Sequence, residues 1–263
     1  MNKNILSKEQ NPIFGYKLKY KIMKFLKFGL VTLITFLSVA TTRAQTAEDI
    51  INKHIDAIGG KDLLSKINTM YVEGTVTAMG TDYVTKVNMV NGKALKSETD
   101  VNGSTIIQCI TDTGGWSLNP LMGQSDPTPL TADEAKMAKS SLDLRGQLYN
   151  YKDKGLTATL VGRDSVQGVS DYKIKLVDNS NGSELTYYID PKTYYISKLD
   201  VKATVSGKEV TNSSSFSNYK KTDFGYVVAN TMATTNMGYD IVINYNKIEI
   251  NKDIDPKIFA MPK

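Results

Sequence analysis

Residues 114–149 read GGWSLNPLMGQSDPTPLTADEAKMAKSSLDLRGQLY, and this stretch decides how the rest of the chain must fold. It contains the single tryptophan, Trp116, then a loop with three prolines, then a helical pattern that begins after Thr131. Alternating strand patterns lie on both sides of it. A short helix in the middle of a sheet protein has to pack its apolar side on that sheet. We therefore predict a curved sheet with an apolar interior, covered by a mobile lid helix.

Strand patterns with a period of two occupy most of residues 70–111 and 156–250. In the first block, Asn91-Gly92 and Asn102-Gly103 are typical of two-residue hairpin turns, because both residue types adopt positive φ readily. All of the connections are too short for parallel crossovers. About 11–12 antiparallel strands with one apolar face must curl into a barrel or stack into a sandwich.

An amphipathic helix precedes the strands. Thr46 is a typical N-cap, acidic residues follow it in the first turn, and Gly59-Gly60 ends the pattern. Four isoleucines form one apolar stripe at helical spacing: Ile50, Ile51, Ile55 and Ile58. His54 stands beside this stripe, which favours a packing role over a catalytic one.

Residues 1–44 have the features of a secretory signal peptide. Five lysines in residues 17–27 precede the uncharged run 28–42, and the 15 residues of this run are fewer than the ~20 that span a bilayer. Thr42 and Ala44 are the small residues that signal peptidase requires, so we predict cleavage after Ala44. The leader is 44 residues long from Met1 but 22 from Met23, which makes Met23 the favoured start.

Removal of this leader changes the charge of the chain. Of 32 basic and 27 acidic residues, eight basic and one acidic residue lie in 1–44, which leaves 24 basic and 26 acidic residues. A net charge of −2 does not support binding to nucleic acid, which needs a basic surface. Cys109 is the only cysteine, so we expect neither an intrachain disulfide nor a lipid anchor at the mature N-terminus.

The residue types of the common catalytic sites are missing. With one histidine and one cysteine, the chain has no G-x-S-x-G, H-E-x-x-H, C-x-x-C or P-loop pattern. Acidic pairs such as Asp133 and Glu134 stand where a helix start favours them. A carboxylate-pair glycosidase stays open as a class, although no pattern points to one. We predict a protein that is not an enzyme and that has no catalytic residues, metal or other cofactor.

The candidate ligand-binding residues are apolar side chains in and near the lid. Thioethers fill irregular space and adapt to varied partners, and the apolar face of the lid is broader than one sheet contact requires. Any one of these side chains could instead belong to an ordinary core. The candidates are Trp116, Leu121, Met122, Met137, Leu142, Leu148 and Tyr187.

Four stretches, taken in order, resemble the LolA-like family of outer-membrane lipoprotein-sorting proteins or lipoprotein carriers. They are TAEDIINKHIDAIGGKDLLSKINTMYVEGTV (46–76), GGWSLNPLMG (114–123), DYKIKLVDNSNGSELTYYIDPKTYYISKLD (171–200), and an ending made of SNYKKTDFGYVVANTM (217–232) and KIEINKDIDPKIFAMPK (247–263). The resemblance implies a mainly β (α+β) fold for residues 45–263. This would be an incomplete antiparallel β-barrel of about 11–12 strands with an N-terminal helix and a mid-chain lid helix.

The same resemblance implies a soluble periplasmic carrier that shields acyl chains of lipoproteins or lipids and moves them toward the outer membrane. Its partners would be the acylated cargo, and an inner-membrane donor and an outer-membrane acceptor, without nucleic acid or a stable membrane anchor. The alternative is a non-catalytic envelope-assembly or protein-binding β-domain with a filled core. One departure concerns the lid. In the best-known carrier an arginine on an early strand latches it, whereas here NGKALKSETD (91–100) offers only Lys93 and Lys96, whose donor geometry differs.

Overall fold

The computed structural model describes residues 45–180, 182–205, 208–236 and 238–262. Within these ranges the side chain of Met137 and those of a few strand residues are not described. The signal peptide in residues 1–44, its cleavage after Ala44 and the start at Met23 lie outside the described residues and stay predictions. Among the described helices, none combines the length and the apolar character needed to cross a membrane.

In the described ranges, thirteen antiparallel strands form one sheet that is not closed into a barrel, which confirms the mainly β, incomplete-barrel prediction. The strand count exceeds our 11–12 because two further strands, Gly114–Leu118 and Thr128–Pro129, lie in the stretch where we predicted only Trp116 and a loop with three prolines. That detail was wrong, since Pro129 pairs with Trp116. The strands are β1 Thr69–Ala78, β2 Thr81–Val90, β3 Ala94–Val101, β4 Ser104–Thr111, β5 Gly114–Leu118, β6 Thr128–Pro129, β7 Leu156–Val166, β8 Val169–Asp178, β9 Glu184–Ile189, β10 Ile196–Val205, β11 Lys208–Lys221, β12 Val227–Asn236 and β13 Tyr239–Ile250.

The order of the strands leaves β6 at one edge of the sheet and β7 at the other. Neighbouring strands are sequential except in the middle, where β1 pairs with β13 from Met70↔Ile250 to Ala78↔Ile241. Residues 130–155 must therefore run from one edge of the sheet to the other. We call residues 130–155 the bridging segment.

The helical pattern that begins after Thr131 forms an α-helix of only seven residues, which is shorter than the pattern. Helix α3 (Ala132–Ala138) follows helices α1 (Ala47–Ala57) and α2 (Lys61–Leu64) in chain order. It begins at Thr131 with the expected cap, in which Thr131 and Glu134 bond each other reciprocally. After α3 one 3-10 turn follows (Lys139–Leu142), and the chain then turns away at Gly146, where φ is 78°. A positive φ is incompatible with a continuing helix.

Helix α1 covers one face of the sheet, which we call the inner face. Its cap is the predicted one, with Thr46 and Asp49 bonded reciprocally. The isoleucine stripe is fully buried, as expected from its helical spacing. It packs in one large cluster with side chains of β1, β8 and β9 and of the bridging segment, including Met70, Val72, Ile174, Leu176, Tyr187, Ile189, Leu144 and Leu148.

The hairpin turns differ in their detail. Asn102 and Gly103 both have positive φ, 53° and 82°, as a two-residue turn of this type requires. At the earlier turn only Gly92 has positive φ, and residues 91–93 form the loop. The extra residue leaves the side chain of Asn91 and the main-chain N–H of Gly92 available to the bridging segment.

A second cluster lies on the opposite, outer face of the sheet. Cross-strand partners share a face and successive residues alternate. Met70 of the inner face pairs with Met89, then Leu95, then Ile110 across β1–β4. Cys109 and its partner Trp116 therefore point outward. The 3-10 helix Pro256–Phe259 covers them, and its Phe259 completes a cluster with Ala94, Cys109 and Trp116.

Replacing Gly115 with alanine should destabilise the protein by about 1–3 kcal/mol, the usual cost of forcing atoms into a packed site. A Cβ at Gly115 would stand 2.4 Å from the carbonyl oxygen of Cys109, a main-chain atom that cannot rotate away. The adjacent Gly114 is the matched control, since a Cβ there meets nothing within 4 Å. Urea unfolding of Gly115→Ala and Gly114→Ala measures the two costs. Equal stabilities would contradict the close approach of β4 and β5.

Candidate functional site

A cavity of about 280 Å³ lies between the inner face of β9–β13, helix α1 and the bridging segment. This volume is close to the lower end of the ~300–1,000 Å³ range of ligand pockets. Most of the wall is aromatic or aliphatic. It is lined by His54, Ile58, Arg145, Gly146, Gln147, Leu148, Tyr187, Ile196, Leu199, Phe216, Tyr219, Tyr226, Val227, Val228, Ala229 and Tyr245.

Four tyrosines give this apolar wall a polar component. The hydroxyl of Tyr219 donates a hydrogen bond to the carbonyl oxygen of Ile196, at 2.7 Å. Burial raises the pKa of Tyr187 and of Tyr245, and burial followed by the negative charge of Asp143 raises the pKa of Tyr226 to about 12. These hydroxyls stay protonated at neutral pH, so they can donate hydrogen bonds to a ligand but cannot act as bases.

His54 contributes a neutral imidazole to the wall. Its side chain is buried, and Nδ1 lies 2.8 Å from the carbonyl oxygen of Tyr194, so Nδ1–H is the donor. Burial lowers the pKa of His54 below 6.5, although the bond to Tyr194 acts in the other direction. This fixes the tautomer and leaves Nε2 as an acceptor. The packing role that the sequence favoured agrees with this burial.

We expect the stability of the protein to fall as the pH drops below 6.5, in part through His54. The unfolded chain protonates this side chain near 6.5, whereas the folded protein holds it neutral to lower pH, so acid favours the unfolded state. In His54→Asn, whose amide retains a donor, the loss of unfolding free energy between pH 7 and pH 5 should be smaller. Urea titrations at both pH values measure it, and parallel losses in the two proteins would contradict the assignment.

An ionic group in the bridging segment borders the cavity. Asp143 accepts from Arg145 Nε at 3.1 Å through Oδ1 and from Lys154 Nζ at 2.5 Å through Oδ2. Burial alone would raise the pKa of Asp143, but the hydrogen bonds from Lys154 and Arg145 outweigh it and the pKa lies below its usual value. Asp143 is thus ionised, and the three side chains together carry one positive charge.

The Asn91-Gly92 turn holds the bridging segment to the sheet. Gly92 N–H donates to the carbonyl oxygen of Leu142 at 2.8 Å, and the side-chain oxygen of Asn91 accepts from Leu144 N–H at 3.1 Å. The two lysines that replace the latching arginine of the resemblance do not form these contacts. Lys93 pairs with Asp112, and Lys96 pairs with Glu98.

The structure separates the candidate residues named from the sequence. Leu148 and Tyr187 are buried and line the cavity together, whereas Leu142 is buried but does not line it. Trp116 is buried on the outer face, where Nε1 donates to the carbonyl oxygen of Phe259 at 3.0 Å. Leu121 and Met122 are 57% and 79% exposed, so they lie outside any enclosed site. The side chain of Met137 is outside the described residues.

Most of the cavity wall was not identified from the sequence. Tyr219, Tyr226 and Tyr245 stand in ordinary strand patterns, where nothing distinguishes a side chain facing a cavity from one facing a filled core. Arg145 carried the clearest signal, since it is the only basic residue among the leucines of the stretch 142–149. A charged side chain within an apolar pattern must either reach solvent or meet a polar partner. Here the side chain of Arg145 borders the cavity.

No family model matches this sequence, and no curated protein matches it. Solved structures do. A LolA superfamily protein from Nitrosomonas europaea is 14% identical with a TM-score of 0.55, over 82% of this chain and 98% of that chain. An outer membrane lipoprotein-sorting protein domain from Vibrio parahaemolyticus is 15% identical with a TM-score of 0.51, over 81% and 97%. A DUF1329 family protein from Desulfovibrio piger is 16% identical with a TM-score of 0.54, over 82% and 98%.

Proposed function

We propose that this chain, with its LolA-like fold, is a carrier that binds acyl chains of a lipid or lipoprotein in the cavity beneath the bridging segment. The observation that carries the proposal is the cavity itself. Its wall is mainly aromatic and aliphatic and includes Tyr187, Leu199 and Leu148. An acyl chain gains ~0.8 kcal/mol for each methylene group that it buries, so a site of this composition favours such a ligand.

The bridging segment is the lid of this carrier in our proposal. It crosses from β6 to β7, and it is tied to the inner sheet at the Asn91-Gly92 turn by two hydrogen bonds. Net contributions of single hydrogen bonds are about 0.5–1.5 kcal/mol, which a few buried methylene groups offset. Entry of an acyl chain can therefore displace this segment. Of the sequence candidates, Leu148 and Tyr187 remain the proposed ligand contacts.

The rest of the proposal concerns the setting of this activity. The chain would be exported through the signal peptide in residues 1–44 and would work in the periplasm as a soluble protein without enzymatic activity. The solved neighbours include an outer membrane lipoprotein-sorting protein domain, and that description supports a role in the cell envelope. Cargo transfer toward the outer membrane would require a donor at the inner membrane and an acceptor at the outer membrane.

Native mass spectrometry tests the binding step directly. The exported protein is purified without detergent, and a dansyl-labelled fatty acid is then titrated into the delipidated sample. We expect a co-purified acyl compound, and saturable binding of one labelled chain that unlabelled chains displace. A folded protein that binds no acyl compound of any kind would overturn the carrier proposal. The filled-core binding domain would then be the better account.

A further inference from the structure

The cavity has one charged side chain among its described lining residues, and that side chain is cationic. Arg145 stands in the wall beside Gly146 and Gln147, while carboxylates are absent from the described lining. The rest of the wall is apolar, aromatic or neutral. A charge next to an apolar cavity is costly to keep without a partner of opposite sign, and this raises the question of what Arg145 pairs with.

Asp143 satisfies only part of the guanidinium group. It accepts from Nε at 3.1 Å, and its other carboxylate oxygen is taken by Lys154 Nζ. The guanidinium also lies over the ring of Tyr149, 4.8 Å from its centroid, which holds its plane in place. No acceptor among the described residues reaches the terminal groups Nη1 and Nη2. Arg145 is thus held through Nε, and its donors at Nη1 and Nη2 have no acceptor among the described residues.

Nearby charges strengthen this preference for an anion. Lys154 adds a second cation within the same group, so Asp143 cannot neutralise both. Burial, followed by the negative charge of Asp143, raises the pKa of Tyr226, so this hydroxyl in the cavity wall is protonated and can donate a hydrogen bond to an anion. An anion bound at Nη1 and Nη2 would restore charge balance there.

We propose that the cavity takes a single-chain amphiphile with a small anionic head group, which Arg145 binds through Nη1 and Nη2 while the chain lies against the apolar wall. This rests on the proposed function, and it names the ligand class. Arginine presents paired donors that match carboxylate and phosphate oxygens. The volume of about 280 Å³ suits one chain, because pockets for drug-sized ligands start at ~300 Å³ and a multiply acylated lipid is larger than these ligands.

The test compares ligands that share one chain and differ in the head group. Dodecanoate, dodecyl phosphate, methyl dodecanoate and dodecanol each displace the dansyl-labelled fatty acid from the wild-type protein at neutral pH. We expect at least one anion to bind about tenfold or more tightly than the neutral compounds, which is the usual range for a charge-assisted pair. A carboxylate preference points to free fatty acids, and a phosphate preference points to single-chain phospholipids.

Arg145→Gln should abolish this preference, so that the anionic ligands bind no more tightly than methyl dodecanoate. Lys152→Gln is the matched control, because it removes the same charge at an exposed pair with Glu48 and does not line the cavity. It should bind as the wild type does. Near-ultraviolet circular dichroism checks that each variant is folded. If Arg145→Gln does not fold, equal wild-type affinity for anionic and neutral ligands still overturns the inference.

The outcomes separate the two proposals. Equal wild-type affinity for anionic and neutral ligands would overturn the head-group inference and leave the acyl carrier standing. An anion preference that survives in Arg145→Gln would also overturn it, since the recognising group would be another one. Failure of all four ligands to bind would count against the carrier proposal itself.

Discussion

Ala229→Phe should reduce acyl-chain affinity more than about a hundredfold while the protein stays folded. Ala229 is on β12, is buried and lines the cavity. A phenyl ring there occupies space in which the acyl chain would lie. Loss of four buried methylene groups at ~0.8 kcal/mol each already exceeds the ~2.8 kcal/mol of a hundredfold change.

The same substitution four residues further along β12 provides the control. Ala233 is half-buried and does not line the cavity, so Ala233→Phe should bind acyl chains normally. Displacement of the labelled fatty acid measures affinity, and urea unfolding measures stability. The free energy of unfolding of Ala229→Phe should change by less than about 1 kcal/mol, because the ring enters existing space rather than packed atoms. Undiminished binding in Ala229→Phe would place the ligand outside this cavity.

Trp116→Ala should cost about 3–5 kcal/mol of unfolding free energy, the usual range for truncating a large buried aromatic side chain. Trp116 is 3% exposed, packs with Cys109 and Phe259, and anchors the 3-10 helix Pro256–Phe259 through its Nε1. Total stabilities of domains are about 5–15 kcal/mol, so this single change would remove a large part. Trp116→Phe keeps a ring but loses the donor, and it should cost less.

The position of Trp116 also changes what its fluorescence can report. It faces outward from the sheet, and the cavity is on the inner face. Its emission should therefore respond when the segment around Phe259 detaches and should not respond when acyl chains bind. Tryptophan fluorescence of the wild type measures the response to ligand and to unfolding, and urea titrations of the wild type and both variants, followed by circular dichroism, measure the loss of stability. A strong shift on ligand binding, or a loss below about 1 kcal/mol in Trp116→Ala, would contradict this placement.

The sequence predicted local structure better than long-range pairing. The caps at Thr46 and Thr131 were recognised because a cap is formed by residues three apart. The isoleucine stripe of α1 was recognised because helical spacing alone determines which side chains share a face. By contrast, the pairing of β1 with β13 depends on residues far apart in the chain, and the hairpin signals between them do not encode it.

The same limit applies to the candidate ligand-binding residues. Leu148 and Tyr187 lie in patterns that must face the interior, and both line the cavity, while their contact with a ligand stays a prediction. Trp116 lies in a stretch of similar composition, but the register of β5 on β4 turns it to the other face. A strand pattern tells which residues share a face, and it does not tell which face meets the lid.

The central pairing of β1 with β13 has a consequence for the order of folding. Closing a loop between the first and the last strand carries an entropic cost before any contact is gained, and such topologies fold slowly. Until β13 has been synthesised, β1 keeps one row of unpaired backbone groups, which is a template for pairing with other chains. During most of its synthesis the growing chain therefore exposes β1 as an unpaired edge strand. Truncation before Tyr239 should turn a soluble product into an aggregating one.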